Sequence, residues 1–167
     1  VPKLVVPKGS PSASLTLSAL SDTVYEISET IVLDVDTVTN GTEAGLPSGQ
    51  QRIITITSDD PKPQVTLFVG GFSIDEGGAS NTTTVTARLD VPSGLMTTVS
   101  LATSGSAKTG ADYTLNTEIL VPIGNDFGSV TLSSLEDSLD EAEETIVIDI
   151  DAVVNGTEVG VQKQTVS

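Results

Sequence analysis

The chain contains no cysteine, no histidine and no tryptophan. Without cysteine there are no disulfide staples and no thiol chemistry, and without histidine neither imidazole catalysis nor the usual zinc sites can be built. Serines are plentiful, but none has a histidine base, and no Ser-Lys motif is recognisable. Two tyrosines and three phenylalanines leave little for a sugar-stacking platform. That weakens both a carbohydrate-binding module and a glycosidase built on the formal carboxylate pair Glu141 and Glu144. Positive charge is also scarce. Seven basic residues face 23 acidic ones, a net charge of −16 and a pI near 4.1. Such a field repels nucleic acid and anionic lipid and attracts cations. No apolar run approaches the ~20 residues of a membrane helix, so direct membrane insertion is not expected, and no secretory leader pattern is visible.

What the chain does have is a repeat. Val6 to Gly45 aligns without a gap on Val121 to Gly160, a separation of 115 residues (121 − 6), with roughly half the pairs identical. VLDVDTVTNGTEAG answers to VIDIDAVVNGTEVG. Self-similarity at this interval marks a tandem array. The expected organisation is residues 1–60 as the second half of one module, a stiff Pro61-Lys62-Pro63 link, and residues 64–167 as a nearly complete module lacking its last strand. A half module is not expected to fold alone.

The periodicity is that of strands. Val85, Ala87, Leu89 and Val91 alternate with polar residues, as do Val99 and Leu101, Val130 and Leu132, and Ile146, Ile148 and Ile150. Ile31, Leu33 and Val35 repeat the last set in the first copy. Asn40-Gly41 and Asn155-Gly156 follow such runs and predict hairpins; with Asn81 they also form N-x-[ST] sequons, which Asn-Gly turns produce by chance. Asp34, Asp36, Asp149 and Asp151 are expected on outward faces, guarding an edge. No stretch predicts an amphipathic helix. The expected fold is all-β, an antiparallel seven-stranded, immunoglobulin-like sandwich with an aliphatic core.

From Phe72 the chain reads FSIDEGG, TVTARLDVPSG, VSLATSGSAKTGADYT, ILVPIG and VTLSSLEDSLDEAEETIVIDI. This order of motifs resembles the Calx-beta domain, a module of sodium–calcium exchangers and large surface proteins, over essentially all of residues 64–167. The resemblance implies a sandwich that binds Ca²⁺ at one end, next to the following domain. It carries over Glu76, Asp137, Glu141 and Glu144 as calcium ligands in the second copy. In the first it carries over Asp22, Glu26 and Glu29, with Asp59 and Asp60 completing the site. Calcium takes six to eight oxygen ligands at roughly 2.3–2.6 Å, and a crowd of repelling carboxylates is relieved by a divalent cation. Where full sites of the family carry consecutive aspartates, this chain has Glu136-Asp137-Ser138 and Ser21-Asp22-Thr23, and a ligand before the SA-x-x-G-x-DY turn is Ser104. Fewer ions or weaker binding are therefore expected. Tyr113 is expected to anchor the core with its hydroxyl bonded to backbone, and Asp112 to cap a turn.

The function so implied is a non-catalytic, calcium-stiffened spacer or adhesion segment of a secreted or cell-surface protein. Its expected partners are neighbouring repeats, with strand exchange between chains as a route to completing the half module. A module that recognises a glycan or protein, and an intracellular regulatory calcium sensor, are the alternatives.

Overall fold

The computed structural model describes residues 3–45, 50–76, 78–138 and 142–167. Among them every regular element is a strand. The first copy supplies β1 (Glu29–Leu33) and β2 (Arg52–Ile56), an isolated antiparallel ribbon with Ile31 opposite Ile54. The second copy supplies β3 (Gln64–Val69), β4 (Thr82–Leu89), β5 (Thr97–Gly105), β6 (Tyr113–Leu115), β7 (Glu118–Val121), β8 (Phe127–Ser134), β9 (Ile146–Val154), β10 (Thr157–Glu158) and β11 (Gln164–Val166). These form two facing sheets, one ordered β10-β3-β4-β8-β6 and the other β11-β9-β5-β7.

The core lies between them because the period-2 pattern turns one set of side chains inward. Val65, Leu67, Val85, Ala87 and Leu132 from one sheet meet Val99, Ile119, Val121, Ile148 and Val166 from the other, all at most 1% exposed. The core is aliphatic apart from Tyr113; Phe68, Phe72 and Phe127 are all exposed. The Tyr113 hydroxyl accepts a hydrogen bond from the Thr109 hydroxyl at 2.7 Å, so its partner is a side chain and not the expected backbone group.

Four expectations are corrected. Among the described residues the second copy has nine strands where seven were predicted, because β6 and β10 are three- and two-residue segments too short to leave a periodic signature. Among the named strands of the described residues the pairing is antiparallel except β10 on β3, which is parallel. Asn155-Gly156 does not close a hairpin. It carries the chain out of the sheet of β9 and across to β3 in the other sheet, with Asn155 at φ 60°. Nor is the closing strand absent, since β11 pairs with β9 and puts Val166 opposite Ile146, at 0% exposure. The segment from Gly160 to β11 is three residues shorter than that from Gly45 to β2, so continuing the ungapped alignment hides the match of Val166 with Ile54. Asp149 lies just beyond the three residues of β9 that β11 covers, and it faces Lys163 at 3.6 Å.

The module has two poles. At one, where β9 ends, Thr157 pairs with Gln64, and the N–H of Thr157 donates to the Pro63 carbonyl at 2.9 Å. At the other, where β9 begins, Val166 pairs with Ile146, and Ser167 exchanges backbone hydrogen bonds with Phe72 and Ile74. The nine residues of β9 separate the poles by about 27 Å.

Candidate functional site

Carboxylates gather at both poles. At the near pole the first copy meets the second through its backbone. Tyr25 forms a parallel bridge with Ser93, and the N–H of Gly94 donates to the Tyr25 carbonyl at 3.0 Å. The fit is close enough to need glycine, because a Cβ on residue 94 would stand 2.8 Å from Glu26 Cγ and 3.1 Å from the Tyr25 oxygen. On either side of this contact lie the acids. The Asp22 carboxylate accepts the N–H of Val24 at 2.8 Å, which fixes the turn leading into Tyr25. The N–H of Glu26 donates to the Ser58 hydroxyl at 3.4 Å, tying that turn to the segment that ends in Asp59 and Asp60. Asp60 is half-buried. Its partial burial, followed by the charges of Asp59 and Asp22, pushes its carboxyl above the ordinary value of 3.8. Asp60 thus feels the charge of Asp22 across some forty residues of sequence. Glu29 opens β1 opposite Ile56, exposed on the ribbon.

At the far pole a cleft of about 350 Å³ opens between the segment after β3, the turn before β6 and the start of β9. Glu76 and Glu144 line it, joined by Asp75, Asp112 and Glu143. The Asp112 carboxylate accepts the N–H of Lys108 at 2.5 Å, capping the turn as expected, while the Asp112 carbonyl accepts the N–H of Leu135 at 2.8 Å. The Ser134 hydroxyl donates to the Asp75 carbonyl at 2.7 Å and holds the cleft's other wall to β8. Asp137 lies on the exposed turn after β8 and does not line the cleft; Glu141 falls outside the described residues. Of the second-copy residues expected to share a site, the fold therefore places Glu76 and Glu144 on one cleft. Asp75, Asp112 and Glu143 were missed as lining residues. Asp75 was visible as the neighbour of Glu76, but nothing local brings Asp112 to the start of β9.

The donors at both poles are oxygens, the chemistry a hard divalent cation requires. Among the described residues no three carboxylates converge closely enough to hold a metal ion as they stand. The donor chemistry fits, then, while the side chains are not drawn around a common point.

No protein-family model matches the chain, and no curated protein matches it. Among solved structures, the chain is similar to the apo form of the Calx CBD1 domain, at 20% sequence identity and a TM-score of 0.48, over 64% of this chain and 95% of that one. A likeness this distant assigns neither ligand nor role.

Proposed function

We propose that the chain is a non-catalytic stretch of tandem Calx-beta-type repeats, and that it serves as a calcium-stiffened spacer in a large secreted or cell-surface protein, holding an adhesive head away from its anchor. The observation that carries this reading is the position of the acids: they collect at the poles, where one unit hands over to the next, and Asp60 feels the charges of Asp22 and Asp59 at the one junction present. The order of Calx-beta-like motifs in the sequence supports the family, and the repeat supports the array.

On this reading Asp22, Asp59 and Asp60 hold the cation at the junction, with Glu26 beside them through Ser58. Glu76 and Glu144 play the same part at the far pole. A bound calcium ion would supply the positive charge that offsets their repulsion. The chain's own contribution is to aim carboxylates from the turn at 22–26 and from the end of the last strand at one place. The turn is held by the Asp22-to-Val24 hydrogen bond, and the bridge from Tyr25 to Ser93 carries any stiffening into the next module.

The test is melting and small-angle scattering in millimolar calcium against chelator. Calcium is expected to raise the melting temperature, by the equivalent of about 2.7 kcal/mol when free ion exceeds the dissociation constant a hundredfold. It is also expected to narrow the spread of orientations between residues 1–60 and 64–167. Asp22→Asn with Asp60→Asn should abolish both effects. If calcium moves neither quantity, the acids are solvated surface and the stiffening mechanism is wrong.

A further inference from the structure

Asn40-Gly41 and Asn155-Gly156 are the same turn set in two surroundings. Asn40 has φ 61° and Asn155 φ 60°, left-handed values that asparagine tolerates better than most side chains. A Cβ on Gly41 would meet Val38 at 3.2 Å, and one on Gly156 would meet its counterpart Val153 at 2.9 Å. The local sequence thus dictates the local shape. What differs is the hold that the rest of the fold has on each turn. The Asn155 side-chain amide donates to the Met96 carbonyl at 2.9 Å, and the Asn155 backbone carbonyl accepts the Thr97 hydroxyl at 3.4 Å. Gly156 is buried against Val65 and the Pro63 carbonyl, and the N–H of Thr157 donates to that same carbonyl at 2.9 Å. Asn40 and Gly41 are both exposed, and among the described residues no hydrogen bond holds the Asn40 side chain.

We propose that Asn40 is a site of spontaneous deamidation and isoaspartate formation, and that the fold shields Asn155 from the same reaction. The backbone nitrogen of Gly41 attacks the side-chain carbonyl carbon of Asn40, and the new C–N bond closes a five-membered succinimide. The proton of that nitrogen goes to the departing side-chain nitrogen, which is released as ammonia. Water then opens the ring at either carbonyl and leaves aspartate or isoaspartate. Glycine at 41 leaves the attacking nitrogen with no Cβ beside it. Ring closure eclipses the asparagine Cβ and the glycine nitrogen about the Cα–C bond, outside the left-handed well, so the turn must first open. The exposed turn opens at little cost, whereas opening at Asn155 breaks the contacts to Met96, Thr97 and Pro63. Each event replaces a neutral amide by a carboxylate, and the isoaspartate product adds a methylene to the backbone itself. One copy therefore carries an ageing site and the other its guarded twin. The inference is independent of calcium and of the spacer role.

The test incubates the full chain at mildly alkaline pH and follows peptides spanning both turns by mass spectrometry. Electron-transfer fragmentation separates isoaspartate from aspartate. In native buffer Asn40 is expected to convert at least about tenfold faster than Asn155. In concentrated urea the two rates should converge, because VTNGTEA and VVNGTEV differ little around the reacting pair. Gly41→Ala should slow conversion at Asn40 and leave Asn155 as it was. The proposal is overturned if Asn155 converts as fast as Asn40 in native buffer, or if neither converts there in the time both need in urea. It is also overturned if the difference persists in urea, since it would then belong to the flanking residues and not to the fold. An unchanged Asn40 rate in Gly41→Ala would overturn it as well.

Discussion

Geometry has left a clear electrostatic mark on the Asp60 carboxylate. Its raised affinity for protons means that the folded junction binds a proton more readily than the unfolded chain does. The stability this represents is fully present below the ordinary value of 3.8 and is lost as pH rises through the higher folded value, where burial and the Asp59 and Asp22 charges oppose ionisation. Carbon-detected NMR titration of the Asp60 carboxyl should therefore give a midpoint above 3.8 in calcium-free buffer, and Asp22→Asn should bring it down. A midpoint at or below 3.8 would show that the three acids are not neighbours. The grouping was legible from sequence only through the resemblance. Composition marks Asp22 and Asp60 as two acids among 23, and their proximity is made by the Tyr25 and Ser58 contacts, which no local pattern announces.

Among the elements, β1 and β9 are near-identical sequences in two settings, which separates what the residues dictate from what their surroundings supply. Ile148→Ala removes a fully buried side chain and should destabilise the second module by about 2–5 kcal/mol. Leu33→Ala at the matching place should cost under about 1 kcal/mol in the chain as it stands, because the side chain is already 44% exposed. Chemical denaturation of both variants checks the contrast, and equal losses would mean the ribbon is packed in solution. Alternation was enough to find β4, β5, β8 and β9 and the sides they bury. It was not enough to say which sheet the chain enters after Asn155-Gly156. The turn chemistry sets φ at Asn155, but the crossing is decided by packing at Gly156, where a Cβ would meet Val153 and Val65 side chains at 2.9 and 3.1 Å. The strand β11 was missed for a different reason. Three residues are lost from the connection before it, and a strict repeat register then sets Val166 against the wrong counterpart.

For the molecule as a whole, the two-sheet module and the ribbon are units of different stability. A lone two-stranded ribbon is marginal in water, whereas residues 64–166 enclose a continuous core. Native-state hydrogen exchange should find the amides of β4, β5 and β9 opening only with global unfolding and those of β1 and β2 opening at little cost. Uniform protection across both would contradict this. The expectation of a half and a nearly whole unit came from the repeat alone, because the ungapped match of Val6–Gly45 with Val121–Gly160 leaves no second counterpart for residues 64–105.

The placement of Pro63 and Ser167 has a mechanical meaning. Pro63 is held by Thr157 where β9 ends, and Ser167 is held by Phe72 and Ile74 where β9 begins. A pull applied through these two points runs along the strands and not across them. Tension on Pro63 drags β3 lengthwise past β4 and β10, and tension on Ser167 drags β11 lengthwise past β9. The hydrogen bonds along each strand are then loaded in shear, all at once, instead of being unzipped one after another, so the module would yield late and abruptly under force.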